Sequence, residues 1–156
     1  MKTNNHHSPL HILCAMALSL FLPAVAESAT SLPVVDVYKS PLCGCCSDWA
    51  EHLKKNGFRV VLHDVNDVPV ERKKLGMPAR FGACHTAKVG NYLVEGHVPA
   101  ADIKRLLIKR PRAIGLAVPS MPPGSPGMES PRGIPYDVLL VADDGSATIF
   151  THHQPD

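Results

Sequence analysis

The sequence contains neither an apolar run long enough to cross a membrane nor a long tract of basic residues. The apolar run from Ile12 to Leu22 is shorter than the roughly 20 residues that a spanning helix needs. The 16 Lys and Arg residues nearly balance the 14 Asp and Glu residues, and no basic tract is present that would follow a phosphate backbone. These absences argue against a spanning membrane protein and against nucleic acid as a partner.

The amino-terminal residues have the pattern of a secretory signal peptide. Lys2 and a polar start precede the apolar run, and Pro23 and the small-residue pattern Ala24-Val25-Ala26 follow it. This pattern predicts a signal peptide over 1–26 and a single mature domain over 27–156. The mature domain is therefore expected to be secreted or periplasmic, with no membrane contact after signal removal.

The cysteines of the mature segment are few and are not spread along the chain as a disulfide framework would be. Of the five cysteines, Cys14 falls in the predicted signal peptide, Cys43, Cys45 and Cys46 lie together, and Cys84 stands apart. Four thiols grouped as three plus one favour a thiol-based site over a set of structural disulfides.

The tetrapeptide Cys43-Gly44-Cys45-Cys46 is the densest group of reactive side chains in the sequence. It follows a short β-type run and a Ser40-Pro41 breaker, and apolar residues spaced as in a helix begin at Cys46. The first turn of that predicted helix therefore carries Cys45 and Cys46. Unpaired N–H groups at a helix start favour the thiolate form of a cysteine.

Two interpretations of this motif are open from the residues alone. Cys43 and Cys46 have the C-x-x-C spacing of a disulfide, which leaves Cys45 over. A third thiol inside a redox C-x-x-C would compete as a nucleophile and scramble the bridge. Three thiolates that converge on a soft metal ion therefore account better for Cys45.

The available ligands are of the soft type. Thiolates and thioethers bind Cu(I) in preference to harder ions, and the mature segment carries Met121 and Met128 in addition to its cysteines. Zinc is the alternative metal, but adjacent cysteines are crowded around a single tetrahedral ion. Thiolates that bridge several Cu(I) ions relieve this crowding, so we expect a polynuclear copper site.

The predicted secondary structure alternates strands and helices. After a first strand near 34–38 and the Cys-bearing helix, which ends at Asn56-Gly57, the pattern predicts a strand over 58–63, a short helix over 67–75, strands over 84–89 and 92–95, and a helix over 99–109. A strand–helix–strand unit with a right-handed crossover, followed by a hairpin and a last helix, is the order of a thioredoxin-like α/β fold.

Residues 111–135 are rich in proline and glycine and are predicted to form a loop. A closing hairpin is predicted over 136–151 around an Asp144-Gly145 turn. The loop is therefore tethered at both ends, and a tethered loop of this length inside a compact domain is usually functional. It carries Met121 and Met128.

Four motifs occur in order along the chain: Cys43-Gly44-Cys45-Cys46, Ala83-Cys84-His85-Thr86, Val94-Glu95-Gly96-His97-Val98-Pro99, and Met121-Pro122-Pro123-Gly124-Ser125-Pro126-Gly127-Met128-Glu129. Together they resemble the periplasmic copper-resistance proteins of the CopG type, over about 34–152. The resemblance implies a thioredoxin-like fold, several copper ions held by the cysteine cluster, and a copper redox role.

A thioredoxin-like topology predicts which distant residues meet. The sequence lacks the proline that thioredoxins keep immediately before the third strand, and Cys84 stands near that place. The third strand begins at the sheet edge where the first one ends, so Cys84 should lie beside the other cysteines. The returning fourth strand should bring His97 close, whereas alternation along the third strand points His85 away from Cys84.

The residues predict a secreted or periplasmic copper-binding protein. The resemblance implies that it serves copper resistance, with a role as a copper oxidoreductase that cycles Cu(I) and Cu(II). The expected ligands are Cys43, Cys45, Cys46 and Cys84, with His97 as an auxiliary ligand and Met121 and Met128 as soft ligands or a lid. The alternatives are an envelope thiol–disulfide oxidoreductase, in which Cys43 attacks and Cys46 resolves, and a passive copper chaperone or store. Expected partners are copper ions and other periplasmic copper-handling proteins.

Overall fold

The computed structural model describes residues 1–2 and 31–154. The predicted signal peptide over 1–26 lies outside the described residues apart from its first two. The chain divides into two units, Met1–Thr30 and Ser31–Asp156, and the description below concerns the second. None of the helices in the described ranges is long and apolar enough to cross a membrane.

The described residues form seven strands, three α-helices and one short 3-10 turn. In chain order these are β1 (Val35–Lys39), α1 (Gly44–Lys55), β2 (Val60–Asp64), α2 (Val68–Leu75), the 3-10 turn (Ala79–Phe81), β3 (His85–Val89), β4 (Tyr92–Glu95), α3 (Ala100–Lys109), β5 (Gly115–Ala117), β6 (Tyr136–Val141) and β7 (Ala147–His153). The predicted α/β class is confirmed.

All seven of these strands belong to one sheet, in the order β2-β1-β3-β4-β5-β6-β7. β1 and β2 are parallel and joined through α1, and β3 runs antiparallel to β1 and to β4. This arrangement of the first four strands agrees with the predicted βαβ unit, hairpin and thioredoxin-like fold. The predicted closing hairpin is present as β6 and β7.

The predicted loop over 111–135 is not irregular throughout, because it contains β5. This strand pairs in parallel with β4, Leu93 lying opposite Gly115, and antiparallel with β6, Gly115 lying opposite Val141. β5 thus joins the closing hairpin to the rest of the sheet. Three residues are too few to produce a recognisable alternation in the sequence, and for that reason the pattern did not predict the strand.

Two apolar clusters cover the two faces of the sheet. The larger one packs Trp49 and Leu53 of α1 and Ile103 and Leu106 of α3 against inward-facing strand residues such as Val37. The smaller one contains Met77, Phe81, Leu93, Ala117 and Val141. Leu93 and Ala117 are the chain neighbours of Val94 and Leu116, which belong to the larger cluster. Because successive strand residues point to opposite faces, the sheet forms the middle layer of the fold.

The helix ends follow from local sequence. The Asp67 side chain accepts a hydrogen bond of 3.0 Å from the Val70 N–H at the start of α2, as expected of an N-cap. α2 stops at Gly76, whose φ of 100° lies in the left-handed region that glycine adopts without strain. At the start of α3, which has no polar cap of its own, His52 Nε2 accepts from the Ala100 N–H at 3.1 Å.

Gly115→Ala should destabilise the protein, because a Cβ at this position would lie 1.8 Å from the Leu93 carbonyl oxygen. Overpacking of this kind typically costs about 1–3 kcal/mol, and we expect a loss of that size in urea unfolding of the metal-free protein. Gly44→Ala is the matched control, since a Cβ there meets nothing within 4 Å. Equal stability of the two variants would contradict the tight β4–β5 contact.

Candidate metal centre

The start of α1 presents three cysteines within one turn. Cys43 is the N-cap residue, and Cys45 and Cys46 belong to the first turn of the helix. The Cys43 N–H donates to the Ser40 carbonyl at 3.0 Å, which closes the turn between β1 and α1. Cys46 is fully buried, whereas Cys43 and Cys45 are both half-buried.

Cys84 lies beside these three cysteines, as predicted. The register of β1 and β3 places Lys39 opposite His85, so β3 begins at the sheet edge where β1 ends. Cys84 immediately precedes β3, and the four sulfur atoms of Cys43, Cys45, Cys46 and Cys84 all lie within 4.8 Å of one another. A group of four soft donors at this spacing is able to hold metal ions.

In the structure, Cys43 and Cys46 are joined by a disulfide, with their Cα atoms 5.4 Å apart. The other two cysteines of the described ranges, Cys45 and Cys84, are free thiols, and Cys45 Sγ lies 3.6 Å from Cys43 Sγ. The sequence had favoured three thiolates over this C-x-x-C bridge. In the disulfide form Cys43 and Cys46 cannot donate as thiolates, so binding by all four sulfurs first requires reduction of the bond.

The Cys84 thiol is held in its neutral form. Burial, and in second place the nearby Cys45, raise the pKa of Cys84 to about 12. At neutral pH the metal-free protein therefore carries a proton on this sulfur. A metal ion that binds to Cys84 must displace that proton.

His97 is fully buried and contacts Cys84 directly. Its Nδ1 lies 2.8 Å from the Pro126 carbonyl oxygen, and because a carbonyl only accepts hydrogen bonds, Nδ1 carries the proton. Burial lowers the pKa of His97, which favours the neutral ring. Nε2, 3.0 Å from Cys84 Sγ, then has a lone pair that is available to the thiol or to a metal ion. The predicted proximity of His97 to the cysteines is confirmed.

The prediction that His85 points away from Cys84 is wrong. His85 Nδ1 lies 3.4 Å from Cys84 Sγ, and Cys84, His85 and His97 form a second group of side chains able to hold a metal. The alternation rule did not apply because Cys84 is outside β3, in an irregular segment. Burial, followed by the neighbouring His97, lowers the pKa of His85 to about 3.

The ring of His85 is part of the core. It is fully buried and lies 4.3 Å from the Trp49 ring and 5.1 Å from the His97 ring, centroid to centroid. The Trp49 indole donates to the Val98 carbonyl at 2.8 Å. His85 Nε2 has no hydrogen-bond partner within the described part of the chain, so the buried imidazole of His85 has unused hydrogen-bonding capacity.

The proline-rich loop lies across the first turn of α1. A Cβ on Gly127 would be 2.7 Å from the Cys45 carbonyl oxygen and from the Trp49 nitrogen, which shows how closely the two backbones approach. The Gly127 N–H donates to the Glu129 carboxylate at 2.9 Å. Together with the hydrogen bond from His97 to Pro126, this contact places the loop beside the cysteines.

The methionines of the loop differ in exposure. Met121 is 44% exposed, and Met128 is half-buried directly after Gly127. The Met128 N–H donates to the Ser125 carbonyl at 2.8 Å. Their roles as soft ligands or a lid stay predictions.

The remaining histidines of the described ranges have other partners. His52 accepts from the start of α3, His63 pairs with Asp36 at 2.8 Å, and His152 and His153 pair with Asp137 and Asp102 at 2.6 and 2.7 Å. None of them joins either metal-capable group. From the sequence, the roles of His152 and His153 were open between weak copper recruitment and none.

A family model described as "Protein of unknown function, DUF411" matches residues 81–128, a range that contains Cys84, His97 and both loop methionines. No curated protein matches the chain.

Solved structures of two forms of the copper resistance protein CopG are similar to this chain. Each is 42% identical with a TM-score of 0.74, and the alignment covers 98% of the CopG chain in both cases and 78% or 79% of this one. At this identity and coverage the relationship is one of family and not of fold alone. The chain belongs to the CopG family of copper resistance proteins.

Proposed function

We propose that this protein binds copper as Cu(I) through Cys43, Cys45, Cys46 and Cys84, and that it serves copper resistance in the periplasm or another extracytoplasmic compartment. The observation that carries the proposal is the convergence of these four sulfurs within 4.8 Å of one another. Thiolate sulfur is the donor that selects Cu(I). The similarity to CopG structures, whose name states copper resistance, supports the same metal.

The proposed site is polynuclear. Cys43, Cys45 and Cys46 come from the start of one helix, where neighbouring backbone positions restrict how freely their sulfurs can surround one ion. A thiolate has more than one lone pair and bridges two Cu(I) ions when donors are few and close together. Zinc would instead require four terminal ligands in tetrahedral geometry around a single ion.

His97 is the proposed auxiliary ligand. Its Nδ1 proton is fixed by the Pro126 carbonyl, so Nε2 faces Cys84 as an acceptor, which is the arrangement typical of a metal-binding histidine. Met121 and Met128 are proposed to add thioether donors from the loop that lies on α1. Both kinds of ligand suit copper.

The disulfide gives the proposed site two states. Reduction of the Cys43–Cys46 bond takes up two electrons and two protons and restores two thiols, which lose their protons when Cu(I) binds. Oxidation removes two of the four ligands. The proposed cycling balances with this couple, because two Cu(II) ions that become Cu(I) take up the two electrons that the Cys43 and Cys46 thiols release, with two protons, when they form the disulfide. Exchange of copper with other periplasmic copper-handling proteins would use the difference in ligand number between the two states.

Thiol–disulfide exchange is the second candidate function. The specific observation that favours it is the C-x-x-C disulfide at the amino terminus of α1, where the helix dipole stabilises a leaving or attacking thiolate. In this function Cys43 attacks and Cys46 resolves, and no metal is needed. The two candidates differ in what Cys45 and Cys84 contribute.

Copper stoichiometry under reducing and oxidising conditions tests the main proposal. The reduced protein should bind several Cu(I) ions, and the disulfide form no more than about one, because two free thiols remain. Cys84→Ser should lower the reduced stoichiometry, while Ser47→Ala on the same helix should not. Metal analysis by mass spectrometry after removal of unbound copper gives the counts. A reduced protein without copper would refute the proposal and leave thiol exchange.

Cys45→Pro separates the two candidate functions. Proline is tolerated in the first turn of a helix, so the variant should fold and should retain the Cys43–Cys46 pair. We expect weaker Cu(I) binding and higher dithiol reductase activity in an insulin turbidity assay, because the competing thiol is gone. If the variant binds Cu(I) as tightly as the parent, Cys45 is not a ligand.

The double variant Met121→Leu, Met128→Leu tests the thioethers. Leucine is close to methionine in volume, and such exchanges usually cost less than about 1.5 kcal/mol, so the melting temperature of the metal-free protein should hardly change. Cu(I) affinity against a competing chelator should fall. Met77→Leu is the matched control, since Met77 is buried in the smaller apolar cluster. Unchanged affinity in the double variant would assign both methionines to packing.

A further inference from the structure

The segment that carries Cys84 has no ladder hydrogen bonds of its own. Residues 82–84 lie between the 3-10 turn and β3 and belong to no helix or strand. Side chains from two other elements hold this segment instead. The Ala83 N–H donates to Glu95 Oε1 at 2.8 Å, and Arg72 Nη2 donates to the Ala83 carbonyl at 2.6 Å. Both polar groups of the residue before Cys84 are therefore fixed.

The two side chains that hold Ala83 also bind each other. Arg72 Nη2 and Nε lie 2.7 and 2.8 Å from Glu95 Oε1, and the exposed fractions of the two side chains are only 7% and 0%. A buried ion pair of this kind is weak evidence for a gain in stability, because desolvation of both charges offsets their attraction. Its geometry around Ala83 points to a positional role.

The same pair connects the segment of Cys84 to the segment of His97. Glu95 is the last residue of β4, and Gly96 separates it from His97. Gly96 has a φ of 71°, and a Cβ there would lie 2.7 Å from the Ala83 Cβ and 2.4 Å from the Val118 carbonyl oxygen. The two segments are therefore in direct contact. Cys84 and His97, which follow Ala83 and Gly96 in the chain, lie beside this contact, with Cys84 Sγ 3.0 Å from His97 Nε2.

We propose that Arg72 and Glu95 are positioning residues for Cys84: through Ala83 they hold the Cys84 sulfur against His97 and against the other three sulfurs. The proposal rests on the proposed function in so far as Cys84 is a copper ligand. It also explains the charged residue in the Val94–Pro99 motif, for which the copper site alone gives no reason. Neither Arg72 nor Glu95 is assigned a contact with metal.

The test is the rate at which iodoacetamide alkylates Cys84 in the full chain with the Cys43–Cys46 disulfide intact, read by peptide mass spectrometry. The double variant Arg72→Met, Glu95→Leu removes both charges together, so no buried charge is left unpaired. We expect Cys84 alkylation to rise about tenfold, because local opening of its segment becomes easier. Alkylation of Cys45 serves as an internal reference and should not change.

A second ion pair provides the matched control. Asp102 and Arg105 of α3 pair at 2.9 Å, with an exposed fraction of 4% for the Asp102 side chain, and they do not contact Ala83 or Cys84. The variant Asp102→Leu, Arg105→Met should leave Cys84 alkylation at the parental rate. An equal rise in both double variants would indicate general loosening and would overturn the positional role.

Arg72→Lys keeps the test decisive if the double variant does not fold. Lysine retains the charge but lacks the planar fork that reaches Glu95 and the Ala83 carbonyl together, so we expect a smaller rise in Cys84 alkylation. Cu(I) affinity should fall in the same order as alkylation rises. If the unmodified protein binds no Cu(I), the proposed function is refuted but the positioning role is not. If folded Arg72 variants show the same Cys84 alkylation rate as the unmodified protein, the positioning role is refuted but the proposed function is not.

Discussion

The antiparallel pairing of β1 and β3 is the constraint on which the candidate metal centre depends. Lys39 lies opposite His85, so the chain leaves β1 and enters β3 at one edge of the sheet. The turn after β1 places three cysteines at the start of α1, and the residue before β3 is Cys84. Residues about 40 positions apart are thereby brought within 4.8 Å at their sulfur atoms.

Burial and hydrogen bonding then decide the chemical state of these donors. The half-buried Cys84 thiol and the two buried imidazoles are all neutral in the metal-free protein, because burial disfavours each charged form. A cation that enters the site reverses this balance for sulfur, since it stabilises the thiolate. Copper binding and proton release are therefore linked. Copper binding is also linked to reduction, because the Cys43–Cys46 disulfide must be reduced before both sulfurs can bind a metal ion.

The sequence predicted the α/β class, the strand and helix order up to α3, the closing hairpin and the meeting of Cys84 with the other cysteines. It did so because these features follow from local patterns and from one topological rule. It missed β5, since three residues produce no period, and it misplaced His85, because the irregular backbone at Cys84 obeys no alternation. The Arg72–Glu95 pair could not be predicted either, because no local sequence pattern around Glu95 indicates which residue pairs with it, and Arg72 lies 23 residues away.

The hydrogen bond from His97 Nδ1 to the Pro126 carbonyl couples the loop to the metal centre by means of a single proton. As long as the loop stays on α1, that proton is kept on Nδ1 and Nε2 is an acceptor. A loop displaced from α1 would take the acceptor with it, and either ring nitrogen could then carry the proton. A neutral ring that carries its proton on Nε2 would turn an N–H toward Cys84 and lose the capacity to bind an ion there. The tautomer of His97 thus depends on whether the loop is in place on α1.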